Sequence, residues 1–508
     1  MTQTTEKDDP EIFTKREQDW RNGAIVYQVL VDRFVPSAQL DTKRGLYSAP
    51  KVVRNWSENP KPGRYLPEAK LHSHEIDFWG GDFESLRSRL DYIQQLGADV
   101  LYLNPIHLAY TNHKYDALDF KQISPEFGTP EDFSRLVTEV HAQNMKLVLD
   151  GVFNHMGRNA PIFQKALKDP TSPWRDWFAI GPQYEGGARA WSGAQNLIEL
   201  NLEHPPVRGH IYQDPDSVVR SYLRSGADGW RLDTAYELGY DYLHDLTQAA
   251  HLEKPGSLVV GEIVNYPADW LKSIDAVMNF SLRQILLGMI SGVIAPSAAG
   301  RMIDRMIRDA GIEPILKSWT LIDNHDMPRI ATLIPNLAQR RLVQVLQFTL
   351  PGAPNIYYGA EVGMTGGDDP ENRGPMRWDL VRDDNPELVW IKNLIGLRKE
   401  HRALRVGDFR LVESDRLLAF ERYTDRALET VVVLANPTTV PLTERVMISN
   451  SSLMDDTPVV DILDSADAPP IGRIEAGFMT VTMPPQRIQA LMLQELPLGG
   501  YSRYKRVR

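Results

Sequence analysis

Leu147-Val-Leu-Asp-Gly-Val-Phe-Asn-His155 is an apolar run that ends in an acid, an amide and an imidazole. Such a run reads as a buried strand whose C-terminal end delivers polar side chains. The same pattern recurs along the chain. Gly229-Trp-Arg-Leu-Asp233 ends on Asp233, Leu258-Val-Val-Gly-Glu262 ends on Glu262, and Leu321-Ile-Asp-Asn-His-Asp326 ends on a polar turn.

Working outward from these four runs, short β-branched stretches alternate with helical patterns from about residue 24 to 400. The expected strands are 24–31, 100–104, 146–152, 229–233, 258–262, 276–280, 318–322 and 355–358. Residues 83–96 and 130–143 show apolar spacing of three and four, with Thr129 and Pro130 as N-cap and first helical residue. Eight strands with crossovers of this length predict an α/β fold, a closed (β/α)8 TIM barrel. Residues 24–155 and 206–403 are assigned to it. Residues 156–205, rich in Pro, Gly and Trp, are too long for an ordinary loop and read as a small excursion domain after strand three. Period-two stretches within 404–496 predict a C-terminal antiparallel β-sandwich. That leaves residues 1–23 as an N-terminal extension and 497–508 as a frayed tail.

Composition narrows the function classes. The 508 residues carry a net charge of −11, which disfavours nucleic acid and anionic membranes and suits a neutral partner. Zero cysteines exclude disulfides, thiolate metal sites and a cysteine nucleophile. The polar, acidic start Met1–Phe13 has no apolar signal core, and no run approaches 18 apolar residues. A cytoplasmic location is expected.

The strand ends hold the candidate chemistry. Arg231 and Asp233 are two apart and so share a strand face, where the cation would keep Asp233 ionised. An ionised, oriented carboxylate suits a nucleophile. Glu262 emerges from an apolar run, an environment that raises a carboxyl pKa and suits a general acid. Asp326 would stabilise positive charge on a sugar ring, with His325 binding its hydroxyls. Each element alone fits a structural ion pair or a polar turn. Neither His155 nor His325 has a zinc-ligand spacing, so no metal is assigned.

Together and in order, DGVFNH, GWRLD, GE and DNHD resemble the four segments of the α-amylase superfamily, glycoside hydrolase family 13. The resemblance extends over nearly the whole chain. It implies that Asp233 is the nucleophile, Glu262 the general acid/base and Asp326 the transition-state stabiliser. It further implies that Arg231, His155, His325, Tyr115 of HKYD, and Asp369 and Arg373 bind substrate at the cleavage subsite. Asp150 would hold the barrel end together. No cofactor is required; calcium stays open, because Asn154 matches a family ligand while the loop after Phe34 lacks the oxygen-rich residues such a site needs.

Residues 78–86, 113–120, 199–208 and 356–379 are similar to cyclomaltodextrinases, neopullulanases and maltogenic amylases. Three features depart from that subgroup. Leu197–Asn201 lacks its Met-Pro, no Trp follows Glu262, and only about 23 residues precede the barrel where the subgroup carries an N-terminal β-domain. The expected function is retaining hydrolysis of α-glucosidic bonds, chiefly α-1,4, in maltooligosaccharides. The alternatives are a transglycosylase or isomerase of the same family, of trehalose synthase or glucanotransferase type, and a non-catalytic carbohydrate-binding protein. Oligosaccharide is the expected partner; the oligomeric state is unread.

Overall fold

A computed structural model describes residues 9, 11–464, 468–494 and 501–507. Eight parallel strands close a barrel in chain order: β1 (Val26–Val29), β2 (Val100–Leu103), β3 (Lys146–Gly151), β4 (Gly229–Leu232), β5 (Leu258–Ile263), β6 (Ala276–Asn279), β7 (Trp319–Thr320) and β8 (Ala353–Tyr357). All eight coincide with expected strands. The two expected helices also form, although 83–96 breaks into Phe83–Arg87 and Leu90–Leu96. Thr129 caps Pro130–Ala142 by accepting from the Asp132 amide, and Asp132 accepts in return from the Thr129 amide at 2.8 Å.

The barrel's alternation places the site. Every second residue of a strand points inward, and these inward residues change character toward the C-terminal end. The lower layers hold Val26, Val100, Val148, Val260, Met278 and Trp319 in one apolar cluster. Two residues further on come Gln28, Asp150, Glu262 and Asn355, with Arg231 and Asp233 from β4. Outward residues such as Leu101, Leu149, Trp230 and Val259 pack against the surrounding helices. The polar layer is therefore the top of the barrel interior.

Two lobes border it. Residues 156–205 include a helix, Pro161–Lys168, and a strand, Leu197–Glu199, paired antiparallel with His155–Gly157. The second lobe, between β1 and Phe83, was not anticipated. It has two small strand pairs, Val52–Val53 with Asp77–Phe78 and Tyr65–Leu66 with Leu71–His72. Its own core is Tyr47, Leu71, Ile76 and Phe78. Strands of two residues are too short for a periodicity to register, so this lobe was hidden within the barrel assignment.

The C-terminal region is antiparallel, as expected. Eight further strands follow: β9 (Asp408–Leu411), β10 (Leu418–Tyr423), β11 (Val431–Asn436), β12 (Leu442–Met447), β13 (Pro458–Asp461), β14 (Gly472–Arg473), β15 (Phe478–Met483) and β16 (Arg487–Leu493). They form a six-stranded sheet, β9-β10-β11-β16-β13-β14, and a pair, β12-β15. Ala419, Val432, Leu434 and Leu491 face the pair's Leu442, Val446 and Met479. Phe420, Val433 and Ala490 face the barrel's helices. The central strands are thus apolar on both faces.

Neither end of the described chain hangs free. Arg16, on helix Ile12–Gln18, bonds Glu313 (2.8 Å), the Val406 carbonyl (3.0 Å) and Asp408 (3.0 Å), joining the barrel to β9. Residues 501–507 do not fray. Tyr504 is buried, its hydroxyl accepts from the Met454 amide at 3.0 Å, and Arg503 pairs with Asp456 at 2.8 Å. One buried phenol outweighs the solubility of its four basic neighbours. Residues 1–8, 10, 497–500 and 508 of the two end segments lie outside the described residues.

Candidate active site

Arg231, fully buried, is the hub of the polar layer. Its Nη1 donates to Asp150 Oδ1 and to Asp233 Oδ1, each at 2.9 Å, and its Nη2 lies 3.0 Å from Glu262 Oε2. Three strands thereby bring three carboxylates to one cation. Asp150 is held further by the hydroxyls of Tyr102 (2.5 Å) and Tyr115 (2.9 Å). Glu262 Oε2 also accepts the Thr234 amide at 2.9 Å. Thr234 adopts a left-handed conformation, φ 40° and ψ 43°, that a β-branched residue rarely takes. This turn after the nucleophile candidate is what aims its N–H at Glu262.

A second network holds Asp326. Arg373 Nη2 donates to Asp326 Oδ1 at 3.0 Å, and its Nη1 lies 3.3 Å from Asp369 Oδ2. Arg373 Nε and Asn372 Nδ2 both donate to the His325 carbonyl, at 2.8 and 2.7 Å. The His325 ring lies parallel to Tyr115, 5.4 Å between centroids and 4° between planes. Gln28 Nε2 sits 2.8 Å from His325 Nδ1, which assigns the ring proton to Nε2. That nitrogen faces Asp326 Oδ2 at 3.0 Å and the Tyr115 hydroxyl at 2.5 Å.

The proton balance follows from these contacts. Burial pushes Asp233 well above the usual carboxylate range; Arg231 opposes the rise, and Glu262, Asp150 and Asp326 add to it. Burial likewise raises Glu262 against the pull of Arg231, with Asp326 adding to the rise. The pairing expected from GWRLD is present, but Arg231 does not hold Asp233 ionised by itself. One guanidinium is divided among three acids, so burial raises both Asp233 and Glu262 despite its pull. Asp326 differs. Partial burial acts upward on it, yet His325, Arg373 and Arg231 outweigh this and hold it below the ordinary value. Burial lowers His325 and His155 to about 3, so both rings are neutral near pH 7.

Eight of the nine expected site residues thus fall into two networks joined at Tyr115. The ninth, His155, sits at the same barrel end with both ring nitrogens buried and unpartnered, its ring 5.4 Å from that of Trp191. Sequence reasoning missed Trp191, whose Nε1 donates to Glu237 Oε1 at 3.0 Å and so bridges the excursion lobe to the segment after Asp233. It missed Tyr102 and Gln28 as well, since each sits in a strand as an ordinary core residue would. The asparagine considered for calcium, Asn154, has an unpartnered Nδ2. Among the described residues no group of three or more His, Asp or Glu side chains could hold a metal ion.

Comparison with known proteins agrees with this geometry. The α-amylase catalytic domain family matches residues 28–407. The chain belongs to the α-amylase family. It is 33% identical over 414 residues to a cyclomaltodextrinase of Geobacillus thermopakistaniensis, covering 78% of this chain and 66% of the relative. It is 30% identical over 401 residues to an intracellular maltogenic amylase of Bacillus subtilis, covering 78% and 64%. The chain thus spans about two-thirds of the length of these relatives. Among solved structures, the cyclic α-maltosyl-(1→6)-maltose hydrolase of Arthrobacter globiformis superposes with a TM-score of 0.77 at 28% identity, covering 93% of this chain and all of that one. An α-amylase-family catalytic domain with a C-terminal antiparallel sheet is therefore the established architecture.

Proposed function

We propose that the chain is a retaining glycoside hydrolase of α-glucosidic bonds, chiefly α-1,4, in maltooligosaccharides and related α-glucans. The observation that supports this most is the sharing of Arg231 by Asp233 and Glu262. Retaining catalysis needs two carboxyl groups roughly 5–5.5 Å apart, one ionised and one protonated. Arg231 brings both acids onto one guanidinium, from two neighbouring barrel strands, as such a pair calls for. Asp233 attacks the anomeric carbon, and Glu262 gives its proton to the leaving oxygen. A water then loses a proton to Glu262 and displaces Asp233, which returns the α configuration. Asp326, kept ionised by Arg373 and His325, faces the positive charge that develops on the ring. His155, Tyr115, Asp369 and Arg373 bind that ring.

Among the described residues no helix is long and apolar enough to cross a membrane, and the cytoplasm is proposed as the location. Product anomers from maltopentaose, followed by NMR at early times with Asp233→Asn as the blank, test the proposal. Shorter sugars appearing first as the α anomer support it. A β anomer refutes retention, and longer oligomers or trehalose-type products refute hydrolysis in favour of transfer or isomerisation. The Arthrobacter relative is a cyclic α-maltosyl-(1→6)-maltose hydrolase, so that sugar belongs in the same assay.

A further inference from the structure

We propose a second α-glucan-binding site outside the cleft, on the far side of the loop that bears Arg373. A cavity of about 710 Å³ lies there, walled by Trp56 and Asn59 from the unanticipated lobe, Trp378, Arg377 and Asp379 from the loop after β8, and Arg89. Its volume lies within the range typical of ligand pockets. None of these residues belongs to either catalytic network.

The walls are rigid. Trp56 Nε1 donates to the Met376 carbonyl at 3.0 Å. The turn bearing Trp56 is closed by Glu58 and Asn55, whose backbone bond is 2.9 Å, and pinned by Trp79 Nε1 to the Glu58 carbonyl at 2.9 Å. Trp378 is committed to packing, with Phe34 and Tyr92 against its edges and the Arg89 guanidinium 4.4 Å over its ring. Trp56 has no ring or cation partner of this kind among the described residues, and it is half-buried. An indole tethered at one edge with a face toward a cavity is a platform for a flat, partly apolar ligand.

The polar groups around it select the ligand's chemistry. Arg377 grips Asp379 through two bonds of 2.7 and 2.6 Å, an exposed planar fork whose charges cancel. Asn59 adds an exposed amide. Arg89 lies flat on Trp378 and offers no converging pair of free cations, so the pocket is not built for phosphate. A neutral pyranose meets all of these conditions, with its C–H face on Trp56 and its hydroxyls toward Asn59 and the fork. That the sugar is an α-glucan rests on the proposed function.

The pocket is also coupled to the cleft. The Met376 amide donates to the Arg33 carbonyl at 2.8 Å, and Arg33 Nη1 donates to the Arg373 carbonyl at 2.6 Å. A glucan chain held at Trp56 lies one loop away from Arg373, and a chain long enough to reach both places would be tethered at high local concentration. Short substrates would gain nothing.

The test uses the full chain with Asp233→Asn, labelled with 5-fluorotryptophan, and maltoheptaose as probe. The ¹⁹F resonance of Trp56, assigned by its loss in Trp56→Phe, shifts on titration and saturates separately from that of Trp191 in the cleft. The exposed pair Asn59→Ala/Arg377→Ala weakens that shift about tenfold and, introduced into the chain with Asp233 intact, raises KM for amylose by a similar factor. It leaves p-nitrophenyl maltoside kinetics unchanged. A Trp56 resonance that stays fixed after the Trp191 signal has saturated overturns the proposal. So does a shift that the double variant leaves intact. Failure to hydrolyse any α-glucan would count against the proposed function, while the ¹⁹F titration still reports on this pocket directly.

Discussion

Replacing Asp150 by Asn removes one negative charge from the ring of acids around Arg231 and barely changes the side-chain volume. Every contact to Asp150 is a donor: Arg231 at 2.9 and 3.1 Å, Tyr102 at 2.5 Å and Tyr115 at 2.9 Å. An amide NH2 must therefore face one of them. Charged hydrogen bonds contribute about 1.5–3 kcal/mol each, and Arg231 keeps two acids, so a loss of about 3 kcal/mol in stability is expected. The second effect is on the protonation of Asp233 and Glu262, since Asp150 raises both groups. Charges in close contact shift a carboxyl pKa by about 1–3 units. With the charge gone, Glu262 surrenders its proton at lower pH. The alkaline limb of kcat/KM moves down by about 1–2 units. A pH–rate profile on p-nitrophenyl maltoside, with Tm recorded alongside, measures it. An alkaline limb that stays in place or rises in a folded Asp150→Asn protein would refute the charge-ring account.

Four further outcomes are expected. Glu262→Gln slows hydrolysis of maltopentaose by about 10²–10⁴-fold, and less for aryl maltosides whose leaving group needs no proton, as paired kcat/KM values will show. His155 and His325 stay neutral between pH 5 and 8 in ¹⁵N spectra; because the folded rings titrate near 3, against about 6.5 in the unfolded chain, stability falls as pH drops below 6.5, by up to about 1.4 kcal/mol per pH unit per ring. Thr234→Gly relieves the left-handed strain and a buried unpartnered hydroxyl while keeping the N–H that Glu262 accepts, so Tm should hold or rise, unlike most buried truncations. Tyr504→Phe removes the acceptor of the Met454 amide and lowers denaturation stability by about 1 kcal/mol, whereas a frayed tail would show no change.

The barrel was legible because its strands combine β-branched runs with a polar residue at one end, and the eight of them are spaced for helical crossovers. Asp233 and Glu262 stood out for the same reason, each at the end of an apolar run, whereas Asp326 stood out through its place in the DNHD segment. What strand grammar cannot show is how charges are divided. Arg231 next to Asp233 looks like a private pair in GWRLD, and only closure of the barrel brings Asp150 and Glu262 to the same guanidinium. The lobe between β1 and Phe83 escaped because its strands are two residues long and its core is four side chains. Trp191 escaped because its position depends on an irregular path, with Ser192 at φ 48° and Gly193 at φ 80°, that no periodicity encodes.

The two networks divide the electrostatic work, and Tyr115 is where they meet. Around Arg231, three acids and one cation leave an excess of negative charge, and burial raises all three acids. Around Arg373, two acids and one cation sit with a neutral imidazole, and Asp326 stays ionised without one. In the proposed reaction the acid gives a proton to the leaving oxygen and takes one back from water, whereas a stabiliser must never bind one. Separate cations allow both behaviours within one cleft. The Tyr115 hydroxyl donates to Asp150 and accepts from His325, so its ring is fixed from both sides at once. Loosening either network would therefore displace the Tyr115 ring, and with it the surface on which the proposed function stacks the sugar.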